Sequence, residues 1–164
     1  SQGAFLDSQR NVVLIGGTGT GKSHIVKAIA YTAVRTGLRV AYLEADDFLT
    51  SLMGLAAADK RKRVQPLIDA DLVVFDDLFL ARQLPSESAD TLQSILHKRY
   101  KLRRSSLITS NRIIDDWHKF LGDAALATAI LDRLLHRSVL LEFKGKSYRL
   151  KEAASRLAKG TLSE

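Results

Sequence analysis

Asn11-Val12-Val13-Leu14-Ile15-Gly16-Gly17-Thr18-Gly19-Thr20-Gly21-Lys22-Ser23-His24 is the stretch that decides the fold. Its centre, Gly16 to Ser23, reads G-x-x-x-x-G-K-S, a complete phosphate-binding loop. The residues before it form a mostly apolar run of strand length, and His24 to Thr36 carry apolar residues at helical spacing. The loop therefore falls between a strand and a helix, the context its chemistry needs. Glycines let successive backbone N–H groups turn inward around a phosphate chain, and the helix N-terminus adds partial positive charge. Gly17, Thr18, Gly19, Thr20 and Gly21 form this cradle, Lys22 reaches the outer phosphates, and the Ser23 hydroxyl ligates magnesium. The expected ligand is a nucleoside triphosphate with Mg2+.

Outward from the loop, strands and helices alternate. Residues 11–16 read as a strand, 21–36 as a helix stopped by Gly37, and 39–44 as a second strand. A helix is expected from Asp46 to about Ala58, followed by the basic run Lys60-Arg61-Lys62-Arg63 and a short helix or turn over 64–70. Leu72 to Phe75 is an unbroken apolar strand, as a parallel sheet buried on both faces requires. Ser86 to about Arg104 reads as a long amphipathic helix with Ser86 as N-cap and Leu92, Ile95, Leu96 and Tyr100 as its apolar stripe. Further strands are expected at 106–110 and 139–143, with helices at 115–121, 124–136 and, marginally, 153–159. This alternation predicts an α/β fold: a parallel sheet with right-handed crossovers, helices on both faces and ligand at the carboxyl ends of the strands.

The chain has 164 residues, a length for one domain with a sizeable core. Residues 1–10 read as a lead-in and 11–164 as the core. There is no cysteine, which excludes disulfides and thiolate metal sites and fits a reducing cytoplasm. No apolar run has the length of a membrane span, so no membrane partner is expected. The net charge of +7 points to an anionic partner beyond the nucleotide, with nucleic acid first. His24, His97, His118 and His136 lack the close pairings of a zinc site. Trp117 and Tyr148 read as core or interface anchors.

Hydrolysis needs magnesium placement and an activated water. The four apolar residues of 72–75 followed by Asp76-Asp77 have the form of a Walker B motif. Asp76 would hold magnesium, and Asp77 would polarise the attacking water. Asn111, at the end of the next strand, is placed to hydrogen-bond the γ-phosphate or that water.

These segments, with R-V-A-Y-L-E-A-D-D-F-L at 39–49, L-I-T-S-N-R at 107–112, D-D-W at 115–117, L-D-R-L-L-H-R-S at 131–138 and S-Y-R-L-K at 147–151, carry a resemblance. The sequence resembles an AAA+ ATPase of the DnaA/DnaC/IstB group, most closely the IstB-type helper ATPases of insertion-sequence transposons. The resemblance implies a P-loop sheet of strand order 5-1-4-3-2 and inter-subunit ATP sites in a homo-oligomer. It makes Lys22 and Ser23 the Walker A lysine and magnesium ligand, Asp76 the magnesium carboxylate, Asp77 the catalytic acid and Asn111 sensor 1. Arg133 matches the arginine finger offered to a neighbour's nucleotide, and Arg149 the sensor 2 arginine. The chain departs from the family in carrying Asp-Asp where Asp-Glu is usual, so slow turnover is expected. The family's N-terminal partner-binding region is expected to be absent.

Lys60, Arg61, Lys62 and Arg63 follow the second helix, near where DnaA-like relatives place DNA-contacting elements. They are expected to make sequence-independent phosphate contacts. The run from His97 to Arg104 is a second basic stretch, but helical spacing spreads it around the helix. The implied function is an ATP-dependent, DNA-binding ATPase of the bacterial cytoplasm that oligomerises on duplex DNA and helps a transposase choose target DNA. A DnaC-like helicase loader on single-stranded DNA, a nucleotide-gated scaffold without hydrolysis and a small-molecule kinase remain alternatives.

Overall fold

Val12 and Leu14 pack into one apolar cluster, while Val13 and Ile15 pack into another. Side chains alternate across a strand, so an unbroken apolar run must be covered on both faces. The structure is a computed structural model that describes residues 10–17, 19–80 and 83–143. Its strands are β1 (Asn11–Gly16), β2 (Val40–Glu44), β3 (Leu72–Leu78), β4 (Ser105–Ser110) and β5 (Ser138–Phe143). They form one parallel sheet in the order β2-β3-β4-β1-β5. Read from the other edge, this is the expected order 5-1-4-3-2.

The helices are α1 (Lys22–Arg35), α2 (Ala45–Ser51), α3 (Ala57–Asp69), α4 (Ser86–Lys101), α5 (Trp117–Leu121) and α6 (Ala124–Leu135). On one face of the sheet, Val26, Ile29 and Ala33 of α1 meet Val12, Leu14, Val74 and Leu107. On the other, Phe75 and Ile108 meet Leu49 of α2, Leu92 and Ile95 of α4, Trp117 of α5 and Ile130 of α6. Each fully buried Val, Leu, Ile or Phe among these contributes roughly 1.5–3 kcal/mol. No helix among the described residues is long and apolar enough to cross a membrane.

The helix expected from Asp46 to Ala58 is two helices. Leu52, 1% exposed, is buried at the turn between them, so the apolar spacing runs on although the helix does not. Tight bonds from Met53 N–H to the Thr50 carbonyl (3.1 Å) and Leu55 N–H to the Leu52 carbonyl (3.3 Å) form that turn. The chain restarts at Ala57, and Lys60–Arg63 lies inside α3 rather than in a loop. Pro85, not Ser86, occupies the cap position of α4, and α4 stops at Lys101. Tyr100, expected in the apolar stripe, is 40% exposed, and Arg99, 1% exposed, points inward instead. The expected helix at 153–159 lies outside the described residues.

Candidate active site

Because the strands are parallel, their carboxyl ends share one edge, and β4 lies between β1 and β3 there. Gly16, Asp76-Asp77 and Asn111 therefore lie at the same end of three adjacent strands. β1 ends at Gly16, and α1 begins at Lys22 after a short turn. Gly21 caps α1 at φ 93°, a left-handed conformation that a Cβ would oppose. The Thr20 hydroxyl donates to the Gly17 carbonyl at 2.7 Å and braces the turn. A Cβ on Gly16 would lie 2.8 Å from Thr20 Oγ1 and 2.9 Å from Phe143 Cβ, so the loop sits closely against β5.

Gly17, Gly19, Thr20, Gly21, Lys22, Ser23, Lys27 and Asp77 line a cleft of about 520 Å³. Lys22 is 7% exposed, and its Nζ lies 3.9 Å from Asp77 Oδ1. No side chain caps the first turn of α1. A largely desolvated ammonium and the N-terminal amides of a helix thus share a cleft that one carboxylate answers. This donor set fits a polyphosphate.

Asp76 is held through both carboxylate oxygens. The Tyr42 hydroxyl donates to Oδ2 at 2.6 Å, and the Thr109 hydroxyl to Oδ1 at 2.5 Å. Thr109 Oγ1 in turn accepts the Asp77 N–H at 2.8 Å. Burial, then the hydrogen bond and charge of Asp76, push the Tyr42 phenol above its ordinary range, so it stays a donor. Asp77 follows in a left-handed conformation, φ 53°. Oriented oxygens with remaining lone pairs suit a magnesium ligand, direct or through water.

The turn after β3 is clamped from two sides. Asp46 accepts the Phe79 and Leu80 N–H groups at 2.9 and 2.8 Å, and Arg112 Nε donates to the Phe79 carbonyl at 3.1 Å. Arg112 lies over the Phe120 ring, 4.7 Å from its centroid, and its own carbonyl accepts Trp117 Nε1–H at 2.9 Å. Nothing in the local sequence marks Tyr42, Asp46, Thr109 or Arg112 for these contacts.

The remaining expected residues are dispersed. Ser23 is exposed in the cleft, while Asn111 is exposed at the end of β4 outside the cleft lining. Thr18 and Arg149 lie outside the described residues. Arg133, on α6, does not line the cleft; its Nε donates to His97 Nδ1 at 2.6 Å and its Nη1 to the Ala129 carbonyl at 3.0 Å. Lys60 pairs with Glu87 at 3.6 Å, and the Arg63 guanidinium lies 5.8 Å from the Phe48 ring. Arg61 and Lys62 are exposed.

The family model described as IstB-like ATP binding protein matches residues 1–156. A Pseudomonas aeruginosa protein named for ATP binding in insertion sequence IS21 is 39% identical over 150 residues. That match covers 91% of this chain and 56% of the relative, so the chain spans little more than half of the relative's length. Replication initiator DnaA bound to AMPPCP and single-stranded DNA shares the fold with a TM-score of 0.72 at 21% identity, over 88% of this chain and 44% of that one. The DnaC helicase loader does so with a TM-score of 0.68 at 20% identity, over 87% and 86%.

Proposed function

This chain belongs to the IstB-like ATP-binding protein family, and from that premise we propose that it is an ATP-hydrolysing AAA+ core that assembles with copies of itself on duplex DNA and assists a transposase in target selection. The carrying observation is Lys22 facing Asp77 at 3.9 Å, with Asp76 fixed beside it by Tyr42 and Thr109.

In this reading the loop amides and Lys22 bind the phosphates, with Thr18 completing the cradle. Ser23 and Asp76 hold Mg2+, which when bound screens and orients the phosphate oxygens. Lys22 exchanges Asp77 for phosphate, and the released Asp77 carboxylate accepts a proton from the attacking water. Asn111 orients that water from the end of β4, and Arg149 contributes as sensor 2. The short Asp77 side chain makes turnover slow.

Arg133 supports the self-assembly. It lies outside its own cleft, and among the described residues no carboxylate pairs with it. An unneutralised guanidinium is suited to a neighbour's γ-phosphate. Of the basic run Lys60, Arg61, Lys62 and Arg63 on α3, Arg61 and Lys62 contact DNA phosphates, while Lys60 and Arg63 are engaged by Glu87 and Phe48. The transposase partner rests on the insertion-sequence relative.

Sizing the protein with ATP, in the presence of duplex or single-stranded DNA, tests the reading. Oligomers that need ATP and duplex are the expected result. A single-strand requirement would favour a helicase loader, and absence of assembly under every condition would overturn the oligomeric reading.

A further inference from the structure

Among the described residues four non-glycines have positive φ. Asp77 (53°) and Phe79 (63°) belong to the candidate active site; Arg103 (54°) and Arg137 (58°) do not. These two arginines, far apart in sequence, line one pocket of about 250 Å³. It lies where β1, β4 and β5 begin, at the opposite end of the sheet from the nucleotide cleft.

Lys101 and Arg104 complete a set of four cations in the lining, which contains no carboxylate. The rings of Tyr100 and His136 meet edge to face, 5.6 Å apart, as part of the wall. Arg104 is engaged by Asp69 at 3.6 Å and by the Ile68 carbonyl at 2.7 Å. Lys101, Arg103 and Arg137 are exposed and have no ion pair among the described residues. The Asn11 side chain is already committed, donating to the Leu134 carbonyl and accepting the Ser106 N–H.

Arg103 occupies a position that this chain elsewhere gives to glycine. At the end of α1, Gly37 N–H donates to the Val34 carbonyl and Leu38 N–H to the Ala33 carbonyl, both at 3.0 Å, with Gly37 at φ 88°. At the end of α4 the same pair of bonds runs from Arg103 N–H to the Tyr100 carbonyl (3.1 Å) and from Arg104 N–H to the Arg99 carbonyl (3.0 Å). Glycine is the unstrained residue at that point of the motif. Helix-dipole complementarity accounts for Lys101 in the last turn of α4. It does not account for an exposed arginine in a strained conformation beyond each of two helices, both turned to one pocket.

We propose that this pocket seats backbone phosphates of duplex DNA, as a second contact separate from the basic run on α3. The two helices present their carbonyl ends here, and no glycine loop encloses the space, so the pocket lacks the amide donors that grip a free nucleotide. Open cations on flexible stems suit a polymer that brings several phosphates at once. Helical spacing alone would spread the basic residues of 97–104 around α4; its early end and the arrival of Arg137 bring Lys101, Arg103 and Arg104 to one pocket.

The test is the paired variant Arg103→Gly/Arg137→Gly. Glycine relaxes both backbones, so the variant melts at or above the parent temperature and binds ATP unchanged. Fluorescence anisotropy of a labelled duplex across a salt series then reads the contact. The slope of log affinity against log salt falls by about 1.8, from about 0.9 per lost phosphate contact. An unchanged slope and affinity overturn the proposal, as does a parent protein that binds no duplex at low salt. Should the glycine pair lower the melting temperature, Arg103→Asn/Arg137→Asn, which also tolerates left-handed backbone, is read by the same criteria.

Discussion

Arg133 donates its Nε–H to Nδ1 of His97 at 2.6 Å, so α6 is tied to α4 through a neutral base rather than an acid. The second bond, to the Ala129 carbonyl at 3.0 Å, fixes the plane of the guanidinium. Neither partner cancels its charge, which stays available to an incoming anion. On the proposed role, Arg133→Ala is expected to leave ATP affinity nearly unchanged while lowering turnover and ATP-dependent assembly, turnover by about 10³, the loss expected when an arginine finger is removed. Nucleotide binding and phosphate release measured on one preparation check this; parental turnover in the variant would remove Arg133 from catalysis.

The same contact responds to pH. Burial, then the positive charges of Arg133 and Lys101, hold His97 below its ordinary value of 6.5. A proton on Nδ1 would turn the acceptor into a donor facing a guanidinium. With the folded value depressed, the stabilisation is complete above the unfolded value and is lost as pH falls through the folded one. Melting temperature should therefore decline as pH is lowered from about 7.5 to about 5.5, and less steeply in His97→Gln, which accepts without titrating. Parallel declines in the two proteins would show that this pair does not titrate with folding.

Asp77 sits at φ 53°, a conformation that Asp and Asn adopt more readily than longer side chains. An aspartate at position 77 thus suits the backbone there. Asp77→Asn should fold normally and bind ATP at least as tightly, because a carboxylate facing the phosphates is gone, while turnover falls by about 10²–10⁴. Asp77→Glu should lose about 1 kcal/mol of stability to the strained backbone. Calorimetric ATP titration with melting curves separates these effects, and undiminished turnover in Asp77→Asn would place the base elsewhere.

The parts of this protein legible in the sequence are those encoded locally. The loop at 16–23, the apolar runs of β1 and β3 and the acids ending β3 each announce themselves within a few residues. Tyr42, Asp46, Thr109 and Arg112 do not, because each meets its partner more than 30 residues away. In isolation they resemble ordinary strand-edge and turn residues. The two-helix break at 52–56 was hidden because Leu52 is buried inside the turn. Arg99 was hidden by residue type: helical spacing from Leu92 and Ile95–Leu96 reaches both 99 and 100, and only the fold shows carbonyls awaiting a donor.

Those carbonyls make Arg99 a stability determinant. Its Nη1 donates to Leu67 and Ala70 carbonyls at 2.6 and 2.7 Å, its Nη2 to the Ser105 carbonyl at 2.5 Å, and its Nε to Ser106 Oγ at 3.0 Å. Burial lowers the guanidinium to about 10, still cationic at neutral pH. The carbonyl end of α3 supplies the compensating negative potential. Arg99→Met keeps the apolar stem and strands these acceptors, which should remove about 3 kcal/mol or more of folding stability. Urea denaturation measures it; a loss below about 1 kcal/mol would mean that water replaces the guanidinium.

The basic run on α3 should contribute less to DNA binding than its four charges suggest. Lys60 is paired with Glu87 at 3.6 Å, and Arg63, though exposed, lies 5.8 Å from the Phe48 ring centroid, which leaves Arg61 and Lys62 as the exposed members with neither an ion pair nor a ring contact among the described residues. Neutralising all four with alanine is expected to lower the salt slope of duplex binding by about 1.8, two phosphates rather than four. Arg61→Ala/Lys62→Ala alone should reproduce most of that change. Salt-series anisotropy on the two variants decides between the counts: a fall of about 3.6 for the quadruple variant would mean that Lys60 and Arg63 abandon their partners on DNA, and no fall would take α3 out of the interface.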